Sequence, residues 1–133
     1  MNNEISQKRI TTKSFMKMKA SAEKITMLTA YDFATAKYAD ESGIDSILVG
    51  DSLGMTMLGY DSTVKVTIED MLVFTAAVSR GVKRAMVIAD MPFLAFQISK
   101  EQTLLNAGKL IQAGANAVKI EGSSDFIIEQ IKA

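Results

Sequence analysis

Ser46-Ile-Leu-Val-Gly-Asp-Ser-Leu-Gly54 joins a short apolar run to an acidic residue and then to a glycine loop. The same figure recurs along the chain. Ile25 to Leu28 runs just ahead of Asp32, Met86 to Ala89 meets Asp90, and Ala117 to Ile120, interrupted by Lys119, meets Glu121. Runs this short are strand-sized rather than helix-sized, and the segments between them carry a helical period. From Asp32, Phe33, Ala36 and Ala39 share one helical face that closes at Ser42-Gly43. Thr67 caps a helix reaching about Arg80, with Asp70 in the capping-box position, and Ser99 caps another reaching Ala113. A short amphipathic helix is expected at about 12–22, strands at 25–29, 46–49, 86–89 and 117–121, and a further helix from Asp125. Residues 50–66 hold three glycines and no sustained period, so they read as a long loop, a place where α/β domains often put function.

Strands alternating with helices imply right-handed βαβ units and a parallel sheet. Acids at the strand ends favour a barrel over an open sheet, and the G-x-G-x-x-G turn of the open dinucleotide-binding sheet is missing after the first strand. The expected architecture is one α/β domain over 1–133, built from about the first four βα units of an eight-unit barrel, because a complete barrel takes roughly 250 residues.

Lysine plus arginine balances aspartate plus glutamate at 15 each, so no overall field attracts nucleic acid or anionic lipid. The amino-terminal segment is locally basic, with Lys8, Arg9, Lys13, Lys17, Lys19 and Lys24 against Glu4 and Glu23, and reads as a solvated packing helix. No apolar stretch is long enough to span a bilayer, so no membrane partner is expected. The sequence has neither cysteine nor histidine, which removes thiolate metal sites and imidazole mechanisms from this chain.

Asp51, Asp90 and Glu121 offer only hard oxygen donors, a set that suits Mg²⁺. Each could instead cap the following helix; that reading fits Asp32 best, because its helix starts at once. Asp51 precedes a glycine loop and Asp90 precedes Met-Pro, so capping is less natural there. Lys119 and Glu121 are two apart on one strand and share a face, with Val118 and Ile120 on the other. If the aliphatic face packs on helices, lysine and glutamate point into a barrel, where the lysine can hold an anionic carboxylate or enolate; the alternative is a solvated charge pair on an edge strand. Gly50-Asp-Ser-Leu also matches a serine-esterase signature, but that chemistry needs a histidine that this chain lacks.

Five blocks in order then carry a more specific signal: Leu28-Thr-Ala-Tyr-Asp32, Leu48-Val-Gly-Asp-Ser-Leu-Gly-Met55, Gly59-Tyr-Asp-Ser-Thr63, Ala89-Asp-Met-Pro-Phe93 and Ala113-Gly-Ala-Asn-Ala-Val-Lys-Ile-Glu-Gly122. Together they resemble the ketopantoate hydroxymethyltransferase family, from about Thr11 to Ala133, with Lys65 standing where the family pattern has proline. The resemblance implies a (β/α)₈ TIM barrel of the phosphoenolpyruvate mutase-like group, cytoplasmic, in a homo-oligomer that is a decamer in the family. It implies hydroxymethyl transfer from 5,10-methylenetetrahydrofolate to 3-methyl-2-oxobutanoate, giving 2-dehydropantoate for pantothenate synthesis. Carried over by position, Asp51, Asp90 and Glu121 form the Mg²⁺ environment, and Asp51, Ser52, Asp90 and Lys119 contact the 2-oxoacid. The general base, a glutamate of the second half of the barrel, is expected outside these residues, so the chain alone should not turn over substrate. Were it active, Asp32 and Asp61 would be the nearest candidates for a base. The competing expectation is a half-barrel that serves only as a binding or assembly partner.

Overall fold

The structure, a computed structural model, describes residues 8–133; Glu4 of the basic segment lies outside them. The elements follow in the order α1 Thr12–Ala20, β1 Met27–Thr29, α2 Phe33–Glu41, β2 Ser46–Val49, α3 Leu53–Thr56, a 3₁₀ turn Thr63–Lys65, α4 Ile68–Gly81, β3 Met86–Asp90, α5 Lys100–Gln112, β4 Ala117–Lys119 and α6 Asp125–Lys132. The sheet has four strands in the order β1-β2-β3-β4, and every pairing is parallel. Strand order that never reverses is the winding of a barrel; an open doubly wound sheet would turn back at a switch point. The molecule is therefore a partial α/β barrel.

Side chains alternate across each strand, and the core shows which face is which. Ile47, Val49, Val87 and Ala89 form one buried cluster with Ala36 and Ala39 of α2, Met71 and Val78 of α4 and Leu110 of α5. The opposite face carries Met27, Met86, Ile88, Ala117 and Lys119, which with Phe15 of α1 and residues of α5 and α6 line a groove of about 670 Å³ along β4. Met27 and Leu28 of β1 point to opposite faces and stay 50% and 46% exposed, on an edge strand that pairs only with β2 among the described residues.

Several helix starts follow the sequence reading. Thr67 and Asp70 form the reciprocal box at α4, Ser99 caps α5 through the Gln102 amide, and Asp32 caps α2 through the Thr35 amide at 2.8 Å. The differences lie at element ends. β1 begins at Met27 rather than Ile25, and α1 stops at Ala20, where Ala22 turns left-handed. β3 runs on to Asp90, and β4 stops at Lys119. The expected long loop contains one helical turn, α3, and the 3₁₀ turn, both too short to register as a period.

The amino-terminal ends of the strands are tied by buried polar groups. Asp40 accepts from the amides of Lys83, Arg84 and Ala85. Asp45 accepts from the amide and hydroxyl of Thr26 and pairs with Arg84 at 3.4 Å. These bonds anchor the connections at the end of the sheet opposite the strand-end acids Asp51, Asp90 and Glu121.

Candidate active site

At the carboxyl ends of the strands the register sets Asp90 of β3 directly beside Lys119 of β4. The Lys119 ammonium donates to Asp90 Oδ1 at 2.8 Å and to Glu121 Oε1 at 2.6 Å. Lys119 and Glu121 thus share a face, as their spacing implies, while Val118 and Ile120 pack toward the core. The two partners differ in setting: Asp90 is 9% exposed and Glu121 is 80% exposed. The second loop joins the cluster through the Asp51 amide, which donates to Asp90 Oδ2 at 3.1 Å. The sequence-predicted residues Asp51, Asp90, Lys119 and Glu121 are therefore gathered, and Ser52 sits beside them with its hydroxyl 2.7 Å from Tyr31 Oη.

Gly50 makes this packing possible. A Cβ there would stand 2.9 Å from Ser52 Oγ and 3.4 Å from Asp90 Oδ2, so both polar atoms lie over the glycine where any other residue would carry its side chain. Asp51, Asp90 and Glu121 line a cavity of about 190 Å³ with Thr63, Val64, Met91, Phe93, Phe96 and Gln97. One wall comes from the 3₁₀ turn and another from the loop after β3, where Leu94 holds a left-handed backbone (φ 64°). Such conformations in non-glycine residues concentrate at functional loops.

The electrostatics are those of a site short of positive charge. Burial, followed by the Asp90 and Glu121 carboxylates, pushes Asp51 above the ordinary carboxylate value, and Lys119 only partly offsets them. Burial alone would lower Lys119, but its hydrogen bonds to Asp90 and Glu121 outweigh burial and raise it, so the ammonium stays charged. The Lys119 hydrogen bond holds Glu121 below its usual range. Among the described residues no three acidic side chains close around a point tightly enough to enclose a metal ion unaided.

Asp32 lies outside the cluster and is occupied by Thr35, and Asp61 is an exposed partner of Lys65 at 2.8 Å. Sequence reasoning singled out neither Tyr31 nor the lining residues Val64, Phe93 and Phe96. An aromatic two positions after a strand gives no local chemical signal, although Tyr31 lies within the first of the five blocks.

The class is set by carboxylates and a lysine collected at the strand ends of a partial α/β barrel. Solved structures with the same fold include phosphonopyruvate hydrolase in complex with oxalate and Mg²⁺, with a TM-score of 0.69 at 17% identity over 87% of this chain and 40% of that one. Another is 2,3-dimethylmalate lyase, described as a PEP mutase/isocitrate lyase superfamily member, with a TM-score of 0.67 at 17% identity over 90% and 46%. The profile described as ketopantoate hydroxymethyltransferase matches residues 9–133, and the chain belongs to that family. Curated relatives called 3-methyl-2-oxobutanoate hydroxymethyltransferase include that of Acetivibrio thermocellus, 58% identical over 94% of this chain and 44% of the relative. That of Syntrophus aciditrophicus is 53% identical over 99% and 48%. The chain thus spans a little under half the length of the relatives it matches.

Proposed function

We propose that this chain supplies the cation and 2-oxoacid half of an active site that transfers a hydroxymethyl group from 5,10-methylenetetrahydrofolate to 3-methyl-2-oxobutanoate, giving 2-dehydropantoate. The observation that carries the reading is that Asp51, Asp90 and Glu121 line one strand-end cavity while Lys119 bonds both Asp90 and Glu121, in a family whose relatives bear that enzyme name. A divalent cation fits the residues present: the donors are all carboxylate oxygens, and burial together with the Asp90 and Glu121 carboxylates raises Asp51 by more than Lys119 offsets. Asp51 and Asp90 would hold it, with Glu121 completing the environment and water or substrate oxygens filling the remaining positions, as Mg²⁺ usually requires. When bound, Mg²⁺ would supply Lewis-acid polarisation of the keto group, making the C3 proton easier to remove.

The chain's own groups then divide the remaining work. Lys119 would receive the substrate carboxylate by exchanging its bond to exposed Glu121 for one to the ligand, while the part-buried bond to Asp90 keeps the ammonium aimed. Ser52 offers a hydroxyl to the same anion, and Val64, Phe93 and Phe96 give apolar walls on which the branched carbon end can rest. The proton acceptor for C3 is assigned to the part of the barrel by which the relatives exceed this chain. A cytoplasmic homo-oligomer remains the expected setting; among the described residues no helix is long and apolar enough to cross a membrane.

The test joins this chain to the carboxy-terminal remainder of the Acetivibrio relative and follows two reactions. Deuterium exchange at C3 of 3-methyl-2-oxobutanoate and folate-dependent formation of 2-dehydropantoate should both appear in the fusion and be absent from the 133-residue chain. A folded fusion without either reaction, beside an active natural relative, would overturn the reading.

A further inference from the structure

Tyr31 follows β1 at the same end of the sheet as the strand-end acids. Its ring is half-buried against the core, and its hydroxyl lies 2.7 Å from Ser52 Oγ. Ser52 lies one residue beyond Asp51, whose amide is fixed on Asp90, and its Oγ overhangs Gly50. We infer that Tyr31 is a positioning residue for the 2-oxoacid, and that it acts by setting the direction in which the Ser52 hydroxyl donates. This rests on the reading of the site as a 2-oxoacid pocket.

The argument is one of donor and acceptor bookkeeping. In the free protein either hydroxyl can donate to the other. A substrate carboxylate can only accept, so once it meets Ser52 the serine proton must point at the ligand. Ser52 Oγ then has a free lone pair, and Tyr31 is the donor beside it. The resulting chain, tyrosine to serine to carboxylate, polarises each bond in turn and holds the serine rotamer before the ligand arrives. Gly50 matters here as well, because with no Cβ at that position Ser52 Oγ can remain where Tyr31 reaches it.

The experiment measures binding of 3-methyl-2-oxobutanoate at saturating Mg²⁺, together with Mg²⁺ affinity and melting temperature, for the parent, Tyr31→Phe, Ser52→Ala and the double variant. Tyr31→Phe keeps the packed ring and removes only the hydroxyl; it should weaken oxoacid binding about three- to tenfold while leaving Mg²⁺ affinity unchanged. Adding Tyr31→Phe to Ser52→Ala should cost nothing further, since the effect passes through Ser52. Equal losses in both backgrounds, or a parallel fall in Mg²⁺ affinity and melting temperature, would make Tyr31 a structural residue and overturn the inference. A parent that binds the oxoacid beside an unimpaired Tyr31→Phe would overturn it alone, whereas a parent that binds Mg²⁺ but no oxoacid would overturn the pocket reading as well.

Discussion

Lys119 carries two jobs, and they can be separated. Its bond to Asp90 is part-buried, on a carboxylate that is itself enclosed, whereas its bond to Glu121 is open to water and of the kind that contributes little to stability. Lys119→Met keeps much of the stem packing and removes the charge. In the fused full-length enzyme, 3-methyl-2-oxobutanoate affinity should fall about 10- to 100-fold, the scale of a lost hydrogen bond to a charged group, with cation binding retained. An unchanged KM and kcat would reduce Lys119 to a structural ion pair. The acids were legible because each ends an apolar run, and the lysine because it lies two positions before Glu121 on one strand face; parallel topology sends such residues to one end of the sheet. Ser52 was legible only through the resemblance. Tyr31, Phe93 and Phe96 escaped because their placement depends on which loops meet across the strand ends, and no local period encodes that.

Helix ends show where local sequence governs structure and where it yields. Gly43 and Gly114 take the left-handed position after α2 and α5, but Ala22 takes it after α1 (φ 56°), where its amide bonds Lys19 and the Glu23 amide bonds Met18. This is the paired carbonyl closure normally completed by glycine, and alanine pays a steric penalty for it. Ala22→Gly should therefore stabilise the protein by about 0.5–1 kcal/mol in denaturant titration, opposite in sign to an ordinary alanine-to-glycine change. The sequence reading ran α1 on through Ala22 because alanine favours helix and no glycine marks the stop. Asp45 was equally silent in the sequence. Burial acts to raise its pKa, yet the Thr26 amide and hydroxyl and Arg84 together hold it below the ordinary value of 3.8. A lowered carboxylate stabilises the fold fully above the unfolded value, and that contribution is lost as pH falls through the folded one. Asp45→Asn should thus cost about 1–3 kcal/mol near neutrality, with the gap to the parent closing at strongly acidic pH. A gap independent of pH would mean that shape at this site matters and charge does not.

At the scale of the molecule, alternating strands and helices predicted parallel βαβ winding, and four strands in unbroken order confirm it. The sequence could not tell that Met27 and Leu28 would lie open, because apolar strand residues read as buried whether or not a neighbour covers them. Winding brings the second, third and fourth strand ends together, so Asp51, Asp90 and Glu121 meet although up to seventy positions separate the first from the last. On the proposed reading this convergence makes a cation site, and calorimetric titration with Mn²⁺ or Mg²⁺ measures it. The parent and Asp32→Ala, which alters only a helix cap, should bind a cation, and Asp51→Ala and Asp90→Ala should each abolish binding while remaining folded. Undiminished binding by both of the latter variants would mean that Asp51 and Asp90 hold no cation.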